Sequence, residues 1–216
     1  YTRLYPTGLF NTPDALPASY APPLVSNGSL SMLIDYEGGQ AQRRYVRLMP
    51  GVWWAGRRHG PPRDLLNPFG YFENKLVVDG EHVGAPTAWT QTLDTRSAVV
   101  TCRNEYEGDV TAETSVFVPL EHDLVVIKRR LTTKTPEARK ARMRFQYRFT
   151  PPGGENRWPW RVDGTCAWNE ESKCVEFRYE ADTYQWRSGI IAVFSDQEVS
   201  HTIDGQVVTL AADVTL

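Results

Sequence analysis

Cysteine is scarce in this chain: three residues in 216, Cys102, Cys166 and Cys174, with no C-x-x-C pair among them. That spacing excludes a cysteine-built zinc site and a dense disulfide framework. Cys166 and Cys174 flank a turn expected around Asn169–Ser172 and could pair in an oxidising compartment, but two buried free thiols are the simpler reading. An excess of one charge is also missing: 24 Lys and Arg stand against 26 Asp and Glu, a formal net charge of -2. Without a strong field of one sign, neither nucleic acid nor a membrane surface is expected as a partner. No apolar run approaches the roughly 18 residues of a membrane-spanning helix, and no signal-type segment is present. The four histidines, His59, His82, His122 and His201, are scattered without a His-x-His or His-x-x-x-His spacing. No metal and no other cofactor is therefore expected. Helical periodicity is lacking as well. The one helix-like window, Thr135–Arg142, is short, has no apolar stripe and reads as a charged connection between strands. A strand, glycine-rich loop and helix unit for a nucleotide is absent, as are internal repeats.

What the chain has is a succession of strand-like segments. From Tyr1 to about Pro23, Pro, Asn, Asp and Ser break any period, so 1–23 reads as an extended segment packed on the domain. The first convincing strand is Gly28–Asp35, entered through Asn27-Gly28 and left through Glu37-Gly38-Gly39. Others follow at Tyr45–Leu48, Phe72–Val78, Ala98–Tyr106, Thr111–Val118, Leu124–Leu131, Ala141–Thr150, Thr165–Trp168, Cys174–Glu180, Gly189–Phe194, Glu198–Ile203 and Gln206–Leu210. In Arg142–Phe149 the set Met143, Phe145, Tyr147 and Phe149 alternates with Arg142, Arg144, Gln146 and Arg148, the pattern of a half-buried strand. At ~1.5–3 kcal/mol per large side chain, that face is worth roughly 6–10 kcal/mol of transfer free energy. Val175, Phe177 and Tyr179 against Glu176, Arg178 and Glu180 repeat the alternation. Asp79-Gly80, Gly108-Asp109 and Asp204-Gly205 are hairpin signals, the last the strongest. The expected fold is all-β, a large two-sheet antiparallel β-sandwich, forming a single domain over 24–216.

Two loops concentrate chemistry. Met49–Arg63 carries Trp53, Trp54, Arg57, Arg58 and His59 amid Gly and Pro. Indole faces stack on the apolar faces of pyranose rings, and guanidinium groups donate forked hydrogen bonds to hydroxyls or carboxylates. Gly153–Arg161 repeats the mixture, with Trp158 and Trp160 two apart and so on one side of an extended backbone, flanked by Arg157 and Arg161. These nine residues are the candidate carbohydrate-binding or interdomain set. The structural alternative is that the tryptophans plug the sandwich core or lie beneath a partner domain.

Leu24-Val-Ser-Asn-Gly-Ser-Leu-Ser-Met-Leu-Ile34, with its Asn-Gly turn opening a strand after a Pro-rich lead, resembles the start of the N-terminal β-sandwich (supersandwich, galactose-mutarotase-like) domain of bacterial glycoside hydrolases and phosphorylases that carry an (α/α)6-barrel catalytic domain. The resemblance continues through Trp89-Thr-Gln-Thr-Leu-Asp94 and through Phe117-Val-Pro-Leu-Glu-His-Asp-Leu-Val-Val126. It implies a non-catalytic N-terminal domain of a carbohydrate-active enzyme, supporting a catalytic barrel and offering a loop to the substrate cleft. Its implied partners are a carbohydrate, oligo- or polysaccharide, and the protein's own C-terminal catalytic domain. In the resembled families the catalytic carboxylates lie on the barrel, so no catalytic residue is assigned here. Ser26 and Ser29-Leu30-Ser31 depart from the family's usual small Gly-rich residues. A chain that begins at Tyr1 and stops in strand-like Ala211–Leu216 reads as a processed protein or a piece of a longer one, and a periplasmic or secreted location is the expectation.

Two other classes compete with that reading. A stand-alone carbohydrate-binding module would use Trp53, Trp54, Trp158 and Trp160 as stacking residues. A sandwich enzyme, a sugar mutarotase or lyase, would need paired carboxylates or His59 or His122 beside a glutamate. Carboxylates are plentiful: Glu105, Glu107, Asp109 and Glu113 gather at one hairpin, and Asp35 with Glu37 at another turn, where solvated turn chemistry is the ordinary explanation. Asn27-Gly28-Ser29 also fits an Asn-x-Ser glycan acceptor, though a turn is the simpler reading.

Overall fold

The computed structural model describes residues 2–4, 22–39, 52–55, 66–135, 139–148, 163–181, 185–205 and 207–216. Among them every regular element is a strand. In chain order these are β1 (Thr2–Leu4), β2 (Leu24–Ser26), β3 (Leu30–Leu33), β4 (Val52–Ala55), β5 (Leu66–Val78), β6 (Glu81–His82), β7 (Ala88–Asp94) and β8 (Val99–Tyr106), followed by β9 (Val110–Phe117), β10 (Val126–Thr133), β11 (Lys140–Arg148), β12 (Asp163–Asn169), β13 (Cys174–Ala181), β14 (Gln185–Ile191), β15 (Val199–Asp204) and β16 (Val207–Thr215). The pairings with a defined register are antiparallel, so the chain is an all-β antiparallel protein.

By contact density the described residues fall into two compact units. The first takes those of Tyr1–Phe69 and His82–Arg139 with Leu216; the second takes those of Gly70–Glu81 and Lys140–Thr215. In the first unit β1, β7, β8, β9 and β10 form a five-stranded sheet in that order. A short β2-β3-β4 meander belongs to the same unit. Its Val25, Leu30, Met32 and Ile34 are buried, as are Trp89, Val100, Val110 and Val116 of the larger sheet. β1, within the N-terminal segment, adds to the sheet edge by pairing Thr2–Leu4 with Asp94–Thr92 of β7.

In the second unit β11 lies between β5 and β16, and β15 pairs with β16. A β12-β13-β14 meander joins them through ring contacts. Tyr147 of β11 stacks on Phe177 of β13 at 5.9 Å between centroids, and Trp168 of β12 lies flat on His201 of β15 at 3.9 Å. The alternation read in β11 is real: Ala141 and Tyr147 are buried while Arg142 is exposed. Phe145 meets Phe72 of β5 at 5.2 Å on the same inward face. Gly189, opposite Phe177, has no room for a side chain, since a Cβ there would lie 2.6 Å from the Phe177 ring.

Turn chemistry sets the hairpins. Asp79 and Gly80 both adopt positive φ, 51° and 88°, which is what a two-residue type I′ connection between β5 and β6 requires. The Asp204-Gly205 signal is displaced by one residue. Asp204 pairs with Val207, so it is the last ladder residue and Gly205, at φ 56°, opens the loop. β14 also ends earlier than its composition suggests. Its partner β13 starts at Cys174 and runs out opposite Ile191, leaving Phe194 unpaired and 94% exposed. Cys166 pairs with Phe177 and Cys174 with Asn169, three rungs along the ladder and on opposite faces. At about 3.3 Å per residue that separation exceeds disulfide reach, and all three cysteines are free thiols. The expected strand at Tyr45–Leu48 lies outside the described residues.

Candidate functional site

The tryptophan loops identified from the sequence are only partly within view. Trp53 and Trp54 belong to the backbone of β4, in register with Ser31 and Leu30 of β3. Arg57, Arg58, His59, Arg157, Trp158, Trp160 and Arg161 lie outside the described residues. Of the remaining histidines, His82, His122 and His201 are all exposed. Among the carboxylates at the β8-β9 hairpin, Glu107, Asp109 and Glu113 are exposed, which fits a solvated turn. Asp35 and Glu37 are different, because they sit on an enclosed polar cluster.

That cluster begins with sheet register. The inward residues of the five-stranded sheet form rows across β7, β8, β9 and β10. One row is Leu93, Val100, Val116 and Ile127, and it is apolar. The next is Gln91, Cys102, Thr114 and Arg129, and it is polar from end to end. Gln91, Cys102 and Thr114 have no exposed surface. Such a row would be costly inside a core unless each group found a partner.

The partner is the turn that follows β3. Gln91 donates from Nε2 to the Asp35 carbonyl at 2.6 Å, and the Cys102 thiol approaches the same oxygen at 3.5 Å. Arg129 donates from Nη2 to the Glu37 carbonyl at 2.8 Å and from Nε to Thr114 Oγ1 at 2.8 Å. From the adjoining row, Asn104 donates to the Tyr36 carbonyl at 3.0 Å. Successive carbonyls of residues 35, 36 and 37 are thus received by side chains of the sheet. The turn is shaped to be received. Asp35 Oδ1 accepts the Glu37 and Gly39 amides at 3.0 and 2.7 Å, and the Asp35 amide donates to the Gly39 carbonyl at 2.9 Å. Gly38, at φ 75°, rests on Thr114, where a Cβ would come within 2.6 Å of the threonine methyl. Only glycine meets both conditions.

Electrostatics follows from this enclosure. Burial first, and the neighbouring Glu37 carboxylate second, raise the Asp35 pKa to about 7, while the two amide donors and Arg129 pull the other way. Asp35 keeps some accessible surface, but its carboxyl group is folded back on its own turn. Burial pushes the Cys102 thiol up to about 12, so it is an inert thiol rather than a nucleophile. Burial and Glu37 also raise the Tyr106 phenol, whose hydroxyl donates to Glu37 Oε2 at 3.3 Å.

Two carboxylates near one proton resemble an acid/base pair, yet Asp35 Oδ1 is spent on backbone amides. A cavity of about 480 Å3 occurs elsewhere, in the second unit, against Cys166, Phe177, Arg178, Gly189 and Ile190. It contains none of the cluster's residues. No group of three or more His, Cys, Asp or Glu among the described residues is arranged to hold a metal ion. The arrangement does one thing well: it seats a tight turn on a sheet by hydrogen bonds to consecutive carbonyls.

Sequence reasoning named Asp35 and Glu37 but missed Gln91, Asn104, Thr114 and Arg129. A signal was present in Arg129. In Ile127-Lys128-Arg129-Arg130-Leu131 it has the parity of the apolar residues, and an arginine on the inward side of a strand needs a buried acceptor. Two comparisons with known proteins, a scan against protein-family models and a search of curated proteins, return no match.

Proposed function

We propose that this chain is a non-catalytic β-sandwich portion of a carbohydrate-active enzyme, supporting a catalytic domain and contributing an aromatic loop to a glycan cleft. One observation carries the reading. The three stretches that resemble the N-terminal sandwich of glycoside hydrolases and phosphorylases, 24–34, 89–94 and 117–126, knit together in one unit. Asn27 donates from Nδ2 to the Pro119 and His122 carbonyls at 3.1 and 3.0 Å, tying the first stretch to the third. Gln91, of the second stretch, donates to the carbonyl of Ile34, the last residue of the first, at 3.4 Å and to that of Asp35 at 2.6 Å, while Trp89 packs on the adjoining Tyr36 at 5.5 Å. Residues that carry the resemblance therefore serve as framework, as a supporting domain requires. The Asp35 carboxylate is committed to the amides of its own turn and that of Glu37 accepts from Tyr106, in keeping with catalysis placed elsewhere.

The test is the reading frame beyond Leu216 together with a glycan panel. A following run of amphipathic helical repeats, with hydrolysis or phosphorolysis lost when a barrel carboxylate is replaced, is the expected result. An immediate stop codon, with glycan binding by this chain weakened by Trp53→Ala but not unfolded by it, would overturn the supporting role in favour of a binding module. Turnover of sugars by this chain alone would overturn both.

A further inference from the structure

Asn27-Gly28 is the single Asn-Gly pair in the sequence. Glycine after asparagine offers no side chain to shield the backbone nitrogen, and the position of a Cβ on Gly28 is open space, with nothing within 4 Å. In a free chain this pair is the ordinary site of hydrolytic deamidation. The Gly28 nitrogen, having lost its proton to solvent base, bonds to Asn27 Cγ. The Cγ–Nδ2 bond breaks as Nδ2 takes a proton back from solvent, ammonia leaves, and a succinimide remains. Water then opens that ring at either carbonyl, giving aspartate or isoaspartate.

In the fold each participant in that reaction is already engaged. The Gly28 amide donates to Ser26 Oγ at 3.0 Å. Asn27 Oδ1 accepts the Ser29 and Leu30 amides at 2.9 and 2.7 Å, which fixes the plane and direction of the side chain. The would-be leaving group, Nδ2, donates to Pro119 O at 3.1 Å, His122 O at 3.0 Å and Asp123 Oδ1 at 3.3 Å. Three acceptors converge on one amide nitrogen. Attack at Cγ requires the side chain to rotate away from all of them, so reaction must wait for local opening.

We propose that Asn27 is a latent deamidation site held unreactive by the clasp it forms, and that its conversion to aspartate releases that clasp irreversibly. The product explains the direction. Ser29 and Leu30 would keep one carboxylate oxygen, leaving the other where Nδ2 had been, against two carbonyls and the Asp123 carboxylate. A donor among three acceptors becomes a fourth acceptor carrying charge, with no hydrogen bond left to make. The turn between β2 and β3 loses its tie to residues 119–123, and refolding cannot restore it.

The experiment follows conversion at residue 27 by peptide mapping and mass spectrometry, with the full chain held at mildly alkaline pH in buffer and in urea. Conversion is expected to be at least about ten-fold slower in buffer than in urea, because only the opened fraction reacts. Ser26→Ala, which frees the Gly28 amide, is expected to raise the rate in buffer. Asn27→Asp is expected to lower the melting temperature, and Asp123→Asn added to it to recover part of the loss. Equal conversion rates in buffer and urea would overturn the protection. An unchanged melting temperature in Asn27→Asp would overturn the release.

Discussion

The two units hold their sheets together by different means. In the first, side chains of a polar row receive the carbonyls of the 35–39 turn, so the junction is a set of directed hydrogen bonds. In the second, rings meet rings: Tyr147 on Phe177 and Trp168 on His201. A directed junction fixes one geometry and fails if a partner is missing. A ring junction tolerates small shifts and fails when volume is lost.

The comparison can be broken first from the apolar side. Phe177→Ala removes a side chain that is 3% exposed and leaves a cavity beneath Gly189, so it is expected to cost about 3–5 kcal/mol in chemical denaturation. Loss restricted to a few tenths would mean that the ring stack is incidental. Next in size is Arg129→Met, which keeps much of the volume but abandons the Glu37 carbonyl and Thr114 Oγ1. A cost of about 2–3 kcal/mol is expected, since two charge-assisted bonds vanish and two acceptors are stranded.

Acidity sharpens the contrast further, because among the described residues the carboxylate with a strongly raised pKa, Asp35, belongs to the first unit. Asp35 titrates near 3.8 when unfolded and near 7 when folded, so the folded protein binds its proton more tightly. Its contribution to stability is complete below about pH 4 and declines as pH rises to about 7, then levels off. Urea midpoints across that window should fall with pH in the parent and lose that slope in Asp35→Asn. A slope that survives the substitution would assign the titration to another group. The smallest effect is expected at the exposed Arg142–Asp213 pair, 2.6 Å apart on the outer face of β11 and β16. Asp213→Asn should leave the denaturation midpoint unchanged within error, because solvent screens such pairs.

Sequence alternation was sufficient to read β11 of the second unit. Met143, Phe145 and Tyr147 occupy every other position of β11, and a period of two identifies a strand and its inward face without knowledge of any partner. It was insufficient for the first unit, where Gln91, Asn104, Thr114 and Arg129 break the apolar pattern at inward positions. Their purpose depends on a turn 52–94 residues distant in sequence, from Gln91 against residue 39 to Arg129 against residue 35. Asp35 and Glu37 were visible as a pair, but their composition is equally that of any solvated turn. Only the register that places Thr114 under Gly38 separates the two cases.

The polar row also has a temporal consequence. Before residues 35–39 arrive, Gln91 Nε2 and Arg129 Nη2 have water in place of the Asp35 and Glu37 carbonyls, so the inner face of the β7-β8-β9-β10 meander stays hydrated while its local hairpins form. Dehydrating that face and docking the distant turn become one event, and such a long loop closure comes late on a folding route. The amides of Glu37 and Gly39, bonded to Asp35, are thus markers of the final committed step, and their exchange with deuterium reports when the sheet closes.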